Sequence, residues 1–236
     1  MMKKSIKDIK IAVIIPSAGK GVRMGSTKKN FLPLAGRPVL AHTIGAFESV
    51  AAVGAIFLAV TPGDEQYCEK EIVGRYGFRK VRGIVHGGAQ RQDSVANALR
   101  AAGESWDIIA IHDGARPLVT GEIIERTLAE AARTGAAVCA VPVKDTVKEV
   151  SGGFVKRTVP RENLWAVQTP QAFHAAILAD AFKKAEETAY HGTDESSLVE
   201  RIGAEVKIVE GSYENIKITT REDIIFAEEV LRSRHG

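Results

Sequence analysis

The chain has 236 residues, of which 45% are hydrophobic and 26% charged, and a formal net charge of +3. That length suits one α/β domain carrying an insertion and is short for two full domains. The composition excludes disordered and fibrous classes. The small charge, part of it on Lys3, Lys4, Lys7 and Lys10 of a short tail, argues against bulk nucleic-acid binding.

No run of about 18 apolar residues offers a membrane span. Cys68 and Cys139 lie far apart in no metal-binding spacing, which disfavours a disulfide framework or zinc site and fits a reducing cytoplasm. Ile11 to Pro16 is too short for the core of a signal peptide and leads directly into a glycine loop, so Ile11 to Ile15 is expected to be the first buried strand. Ala55 to Thr61, Val81 to His86, Ile108 to His112 and Ala136 to Val141 read as further strands. Helix-period segments fall between them at Pro38 to Glu48, Gly63 to Tyr76, Arg91 to Ala102 and Thr120 to Thr134. Pro38 suits a first helical turn, and Asp93 and Thr120 suit helix caps. This alternation predicts an α/β, Rossmann-like fold with a mostly parallel sheet flanked by helices.

From Lys144 the rhythm changes. Polar and β-branched residues alternate around Ser151-Gly152-Gly153, predicting a protruding β-hairpin arm at about residues 144–160, inserted in a single domain spanning 1–236. Thr146, Lys148 and Val150 fall on one face of the arm, Val147 and Glu149 on the other. A lone hairpin needs something to lie against, so burial of one face by a second subunit, and hence a homodimer, is expected. A helix near Phe173 to Glu187, an acidic segment at Thr193 to Glu200, strands at Val206 to Glu210 and Asn215 to Thr219, and a helix at Arg221 to Arg232 complete the reading.

The loop after the first strand sits where open α/β sheets bind ligands, outside the strands' carboxyl ends. Gly19, Gly21 and Gly25 permit close backbone approach to an anion, and Arg23 and Lys29 add charge. At 4 Å and an effective dielectric near 20, each unit-charge pair is worth about 4 kcal/mol, so a triphosphate needs such cations. The spacing is not that of a dinucleotide fold, whose third glycine would come one residue earlier and whose second strand would end in an acid rather than Thr61-Pro62. Nor does any register give a P-loop. Taken alone, the loop remains open between a phosphate cradle and a glycine-rich surface turn.

The longer string Ser17-Ala18-Gly19-Lys20-Gly21-Val22-Arg23-Met24-Gly25, with Lys29 and Leu34-Ala35-Gly36-Arg37-Pro38, resembles the nucleotidyltransferase signature. Further segments agree in order: Gly87-Gly88-Ala89-Gln90-Arg91-Gln92-Asp93-Ser94, His112-Asp113-Gly114-Ala115-Arg116-Pro117, Pro160-Arg161-Glu162-Asn163-Leu164-Trp165, Gln168-Thr169-Pro170-Gln171, Thr193-Asp194-Glu195-Ser196 and Glu214-Asn215-Ile216-Lys217. Together they make the chain similar to the 2-C-methyl-D-erythritol 4-phosphate cytidylyltransferase family over nearly all its length after residue 10. The ribitol-5-phosphate cytidylyltransferases share the early motifs but tend to differ in the later ones. Three positions depart from the family pattern: Lys28 and Asn30 stand where Pro and Gln are usual, and Gly114 where Ala is usual.

The resemblance implies attack by a phosphate oxygen of methylerythritol phosphate on the α-phosphorus of CTP. A phosphomonoester, with a second pKa near 6, is already largely dianionic at neutral pH, so no general base is required. Cations must bring two anions together and stabilise the leaving pyrophosphate. By resemblance, Arg23, Lys29 and Lys217 are the catalytic cations, and Ala18, Gly19, Gly21, Gly87, Gly88, Ser94 and Asp113 hold the nucleotide. Thr146, Arg161, Thr169 and Thr193 would meet the polyol phosphate, Arg161 by reaching a neighbouring subunit. Asp113, at a strand's carboxyl end, is the expected ligand of Mg²⁺. His112 is expected to be structural, Arg116 to pair with an acid such as Asp113, and Asp194 and Glu195 to support the site or simply open a solvated helix.

Overall fold

The computed structural model describes residues 9–19 and 28–235. The first strand, β1 (Ile11–Pro16), is the centre of the fold. Its apolar residues alternate between two cores. Ile11, Val13 and Ile15 pack with residues such as Leu40, Phe47, Ile124 and Leu128 on one side, and Ala12 and Ile14 with Val95, Phe173, Leu178 and Leu198 on the other. A strand buried on both faces must be apolar at every position, and Ile11 to Ile15 are each 0% exposed. Burial of each large aliphatic side chain contributes about 1.5–3 kcal/mol.

The chain then makes a small ribbon of β2 (Pro33–Leu34) and β3 (Arg37–Pro38) and enters α1 (Val39–Glu48), with Pro38 as its cap residue. β4 (Val53–Val60) follows, then α2 (Glu65–Tyr67), which continues as a π-helical stretch at Cys68–Gly74 rather than as the regular helix expected. β5 (Val81–His86), α3 (Arg91–Ala102), β6 (Ile108–Ile111), α4 (Gly121–Thr134) and β7 (Ala136–Pro142) fall where the sequence pattern puts them. Thr120 caps α4 by accepting from Ile123 N. Asp93 does not cap α3: Gln90 occupies that position, and Asp93 forms the other half of a capping box.

The arm is a separate ribbon of β8 (Val147–Ser151) and β9 (Phe154–Val159). Within the chain neither of its faces is covered: Val150 is 56% exposed and Phe154 81%. After it comes a strand absent from the sequence reading, β10 (Trp165–His174), inserted antiparallel between β6 and β7. The remaining elements are α5 (Ala175–Glu187), α6 (Glu195–Arg201), β11 (Lys207–Glu210) and α7 (Arg221–His235). The main sheet runs β11-β7-β10-β6-β1-β4-β5, parallel except for β10.

Asn215 to Thr219 is not a strand. The fully buried Asn215 side chain donates to Thr169 O at 2.9 Å, Asn215 N to Ser212 O at 3.0 Å and Ile218 N to Ala115 O at 2.8 Å. The segment therefore turns around a buried amide instead of joining a ladder. Among the described residues, no helix is long and apolar enough to cross a membrane.

Candidate active site

Because β1, β4, β5 and β6 are parallel, their carboxyl ends deliver Ser17, Thr61, Gly87 and His112-Asp113 to the same edge of the sheet. Asp113, only 7% exposed, is the hub there. Its Oδ1 accepts from Arg91 Nε at 3.0 Å, while its Oδ2 lies 2.9 Å from Lys217 Nζ and 3.5 Å from Arg116 Nε. Burial alone would raise the Asp113 pKa, but Arg91, Lys217 and Arg116 outweigh it and hold the carboxyl well below its usual range. Arg91 also places Nη1 at 2.7 and 2.8 Å from the two oxygens of Glu195, a residue 1% exposed. Burial opposes the Arg91 charge, yet these two carboxylates overcome it, so Arg91 stays protonated. Three cations facing two carboxylates leave the cluster with an excess of positive charge, suited to an incoming polyanion. Glu195 is therefore not on a solvated helix start; Asp194 is the capping residue of α6, accepting from Ser197 N at 3.0 Å.

His112 orders the backbone beneath Asp113. It is fully buried, and burial pushes its pKa down to about 4. The neutral ring fits its surroundings: Nε2 donates to Arg116 O at 3.1 Å, and Nδ1, 3.0 Å from Thr169 Oγ1, accepts from that hydroxyl. Thr169 Oγ1 in turn accepts from Asp113 N at 3.1 Å. Thr169 is thus brought to the hub, but its hydroxyl is engaged in fixing Asp113. Asn215 extends the same scaffold, since its O accepts from Arg116 Nη1 at 2.7 Å and its side chain binds Thr169 O, and this turn carries Lys217.

The residues expected at the nucleotide base also converge. A Cβ on Gly87 would stand 2.2 Å from Ala18 Cβ, and one on Gly88 would stand 2.1 Å from Asp93 Cβ, so both positions require glycine. Ser94 Oγ accepts from Gly88 N at 3.0 Å and donates to Gln90 O at 3.0 Å, holding the turn between β5 and α3. Gly19 N donates to Thr61 Oγ1 at 3.5 Å. Asp113 supplies one metal-competent carboxylate at this edge, and no group of three or more His, Cys, Asp or Glu side chains able to hold a metal occurs among the described residues.

Arg23 and Gly21 lie outside the described residues. Lys29 opens a short 3-10 turn at Lys29–Phe31, next to Asn30, whose Nδ2 donates to Ser17 O at 2.5 Å. Thr146 and Arg161 sit exposed at the root of the arm, where the Arg161 guanidinium donates to Lys144 O, and Thr193 is exposed just before α6. The sequence reading gave Arg91 no role and Glu195 only the choice between supporting the site and opening a solvated helix, although both lie in the quoted motifs. The signal available was a charged residue at the start of each of two helices, and nothing in the spacing says that they meet.

A cationic cluster at the carboxyl edge of a mostly parallel sheet, on the same edge as the Gly87-Gly88 turn, defines a nucleotide-handling α/β enzyme of the nucleotidyltransferase class. A family model described as IspD, 2-C-methyl-D-erythritol 4-phosphate cytidylyltransferase, matches residues 11–233, and the chain belongs to that family. Curated relatives with that name include one from Pelotomaculum thermopropionicum, 50% identical over 96% of each chain. Another, from Syntrophotalea carbinolica, is 48% identical over 94% of this chain and 96% of the relative. Among solved structures, the chain is similar to the 2-C-methyl-D-erythritol 4-phosphate cytidylyltransferase of Thermus thermophilus, with a TM-score of 0.80 and 35% identity over 95% of this chain and all of that one. It is also similar to the 4-diphosphocytidyl-2C-methyl-D-erythritol synthase of Anaerococcus prevotii, with a TM-score of 0.83 and 32% identity over 95% and 99% of the two chains.

Proposed function

We propose that the chain transfers CMP from CTP to 2-C-methyl-D-erythritol 4-phosphate, giving 4-diphosphocytidyl-2-C-methyl-D-erythritol and pyrophosphate, a step in isoprenoid precursor formation. A phosphate oxygen of the polyol forms a new bond to the α-phosphorus of CTP. The bond from that phosphorus to the bridging oxygen breaks, and pyrophosphate leaves with the bonding pair. The observation that carries this reading is the Asp113 hub, with Lys217 at 2.9 Å and Arg91 at 3.0 Å on its two oxygens.

In this reading Lys217, partly open at 36% side-chain exposure, turns its charge toward the reacting phosphates, and Asp113 aims it. Arg23 and Lys29 neutralise the triphosphate, while Ala18, Gly19, Gly21, Gly87, Gly88 and Ser94 shape the pocket for cytidine. No side chain acts as a base. The residues fit Mg²⁺ in its one-carboxylate mode: among the described residues Asp113 Oδ1 accepts from Arg91, and a carboxylate oxygen has a second lone pair. When bound, the ion would neutralise charge developing on the phosphates. Thr146, Arg161, Thr169 and Thr193 are assigned to the polyol phosphate side.

The uncovered arm supports a homodimer in which each arm lies on its partner and carries Arg161 to the partner's site. Buried thiols, Cys68 with its pKa pushed up by burial to about 12 and Cys139 to about 11, suit a cytoplasmic protein. Incubation with CTP, Mg²⁺ and methylerythritol phosphate, followed by mass analysis, tests the reaction. Equal amounts of a cytidine-diphosphate-linked polyol and pyrophosphate support it, and hydrolysis of CTP alone overturns it.

A further inference from the structure

Both ends of the segment that separates Gly19 from Lys28 are fastened to the same turn. Gly19 N donates to Thr61 Oγ1 at 3.5 Å on the entry side, and Lys28 Nζ pairs with Asp64 Oδ1 on the exit side. The turn itself, Thr61 to Asp64, follows β4 and is closed by Asp64 N donating to Thr61 O at 2.9 Å. Gly63 takes a φ of +93°, which a glycine adopts without strain. Glu65 braces the turn, with Oε2 accepting from Gly63 N at 2.9 Å and Oε1 lying 2.6 Å from His86 Nε2, immediately before Gly87. Asp64 is 7% exposed, so its carboxylate needs a partner, and Lys28 is that partner. Two residues on, the buried Asn30 fastens the returning chain to Ser17 O at 2.5 Å.

We propose that the Thr61–Asp64 turn is the anchor of the phosphate-holding loop, and that Lys28 and Asp64 are positioning residues for nucleotide use rather than ligands of the nucleotide. This rests on the reading that the loop engages the CTP triphosphate. Here an ion pair gives the loop exit its fixed direction, and the same turn receives the entry. Lys29, next in the chain, inherits that direction. The arrangement makes a prediction of opposite sign to simple electrostatics. A lysine acting on the triphosphate directly would gain from removal of Asp64, whereas an anchor loses from removal of either partner.

The experiment uses the full chain and the variants Lys28→Met, Asp64→Asn and the double variant, with kcat and KM for CTP measured from about 0.05 to 0.5 M salt. Each single variant should raise KM for CTP about fivefold, the scale of a half-exposed ion pair, and the double variant should be no worse than the worse single one. Salt should raise KM more steeply in the parent than in the variants. A lower KM in Asp64→Asn, effects that add in the double variant, or no change in any variant overturns the anchor. A second readout needs no turnover: the rate of tryptic cleavage after Lys20 and Arg23 in the unliganded protein. It should rise severalfold in both single variants, and unchanged cleavage in both counts against the anchor even if KM moves. If the parent fails to use CTP at all while cleavage rises as stated, the anchor stands and the functional reading falls.

Discussion

Lys217 Nζ lies 2.9 Å from Asp113 Oδ2, joining a turn near the end of the chain to the carboxyl end of a central strand. The two side chains differ in accessibility, at 36% and 9% exposed, and that difference separates their effects. Lys217→Ala leaves Asp113 paired with Arg91 and Arg116, so stability should change by no more than about 1 kcal/mol. Turnover should fall about a hundredfold or more, in line with loss of one preorganised charge donor. Asp113→Asn takes the carboxylate from Arg116 and Lys217 and leaves Arg91 with Glu195 alone, and breaking a buried pair costs about 3–5 kcal/mol, so it should lower both Tm and kcat. Thermal unfolding alongside steady-state kinetics checks both, and near-normal turnover in Lys217→Ala removes it from the reaction.

His112 makes stability depend on pH. Its pKa is near 6.5 in an unfolded chain and about 4 when folded, lowered by burial, so between these values the unfolded state binds the extra proton. Stability should therefore be fully present above about pH 6.5 and decline as pH falls toward 4, by on the order of 3 kcal/mol. Chemical denaturation across that range measures the slope. A His112→Asn variant, less stable at neutral pH, should show a flatter profile.

Ser17 and Gly114 form a size-matched pair. A Cβ at residue 114 would stand 2.2 Å from Ser17 Oγ, whose own hydrogen bond, to Ile15 O, is long at 3.4 Å. Gly114→Ala should cost about 1–3 kcal/mol by overpacking. Ser17→Ala combined with Gly114→Ala should recover most of that loss. Unfolding free energies of the two single variants and the double variant check the coupling.

The sheet and helices were legible because the β1 residues obey two rules at once, being apolar throughout and alternating between two cores. β10 was not legible, because Gln168, Thr169, Pro170 and Gln171 interrupt the apolar run and proline argues against a central strand. The sheet tolerates it there because the β10–β7 ladder shifts register between Val167 and Gln171. The hub was half legible. Asp113 and Lys217 came from motifs, whereas Arg91 and Glu195 meet only because α3 and α6 begin at the same edge. Helix starts in a sequence carry no record of their neighbours in space.

The arm gives a prediction that separates chains from sites. If Arg161 acts across the dimer, Arg161→Ala and Lys217→Ala should each be nearly inactive alone. Unfolding and refolding them together should restore part of the activity, since a mixed dimer then contains one intact site. Sedimentation should show that replacing the 81%-exposed Phe154 by Ser weakens the dimer. No recovery on mixing, with dimers present, refutes the role across the interface.

Pyrophosphate release from CTP in Mg²⁺, compared between 2-C-methyl-D-erythritol 4-phosphate and ribitol 5-phosphate, decides whether the chain is a methylerythritol phosphate cytidylyltransferase. Release should depend on the methylerythritol compound, with a kcat/KM for it well above that for ribitol phosphate. Preference for ribitol 5-phosphate, or no release with either, contradicts it.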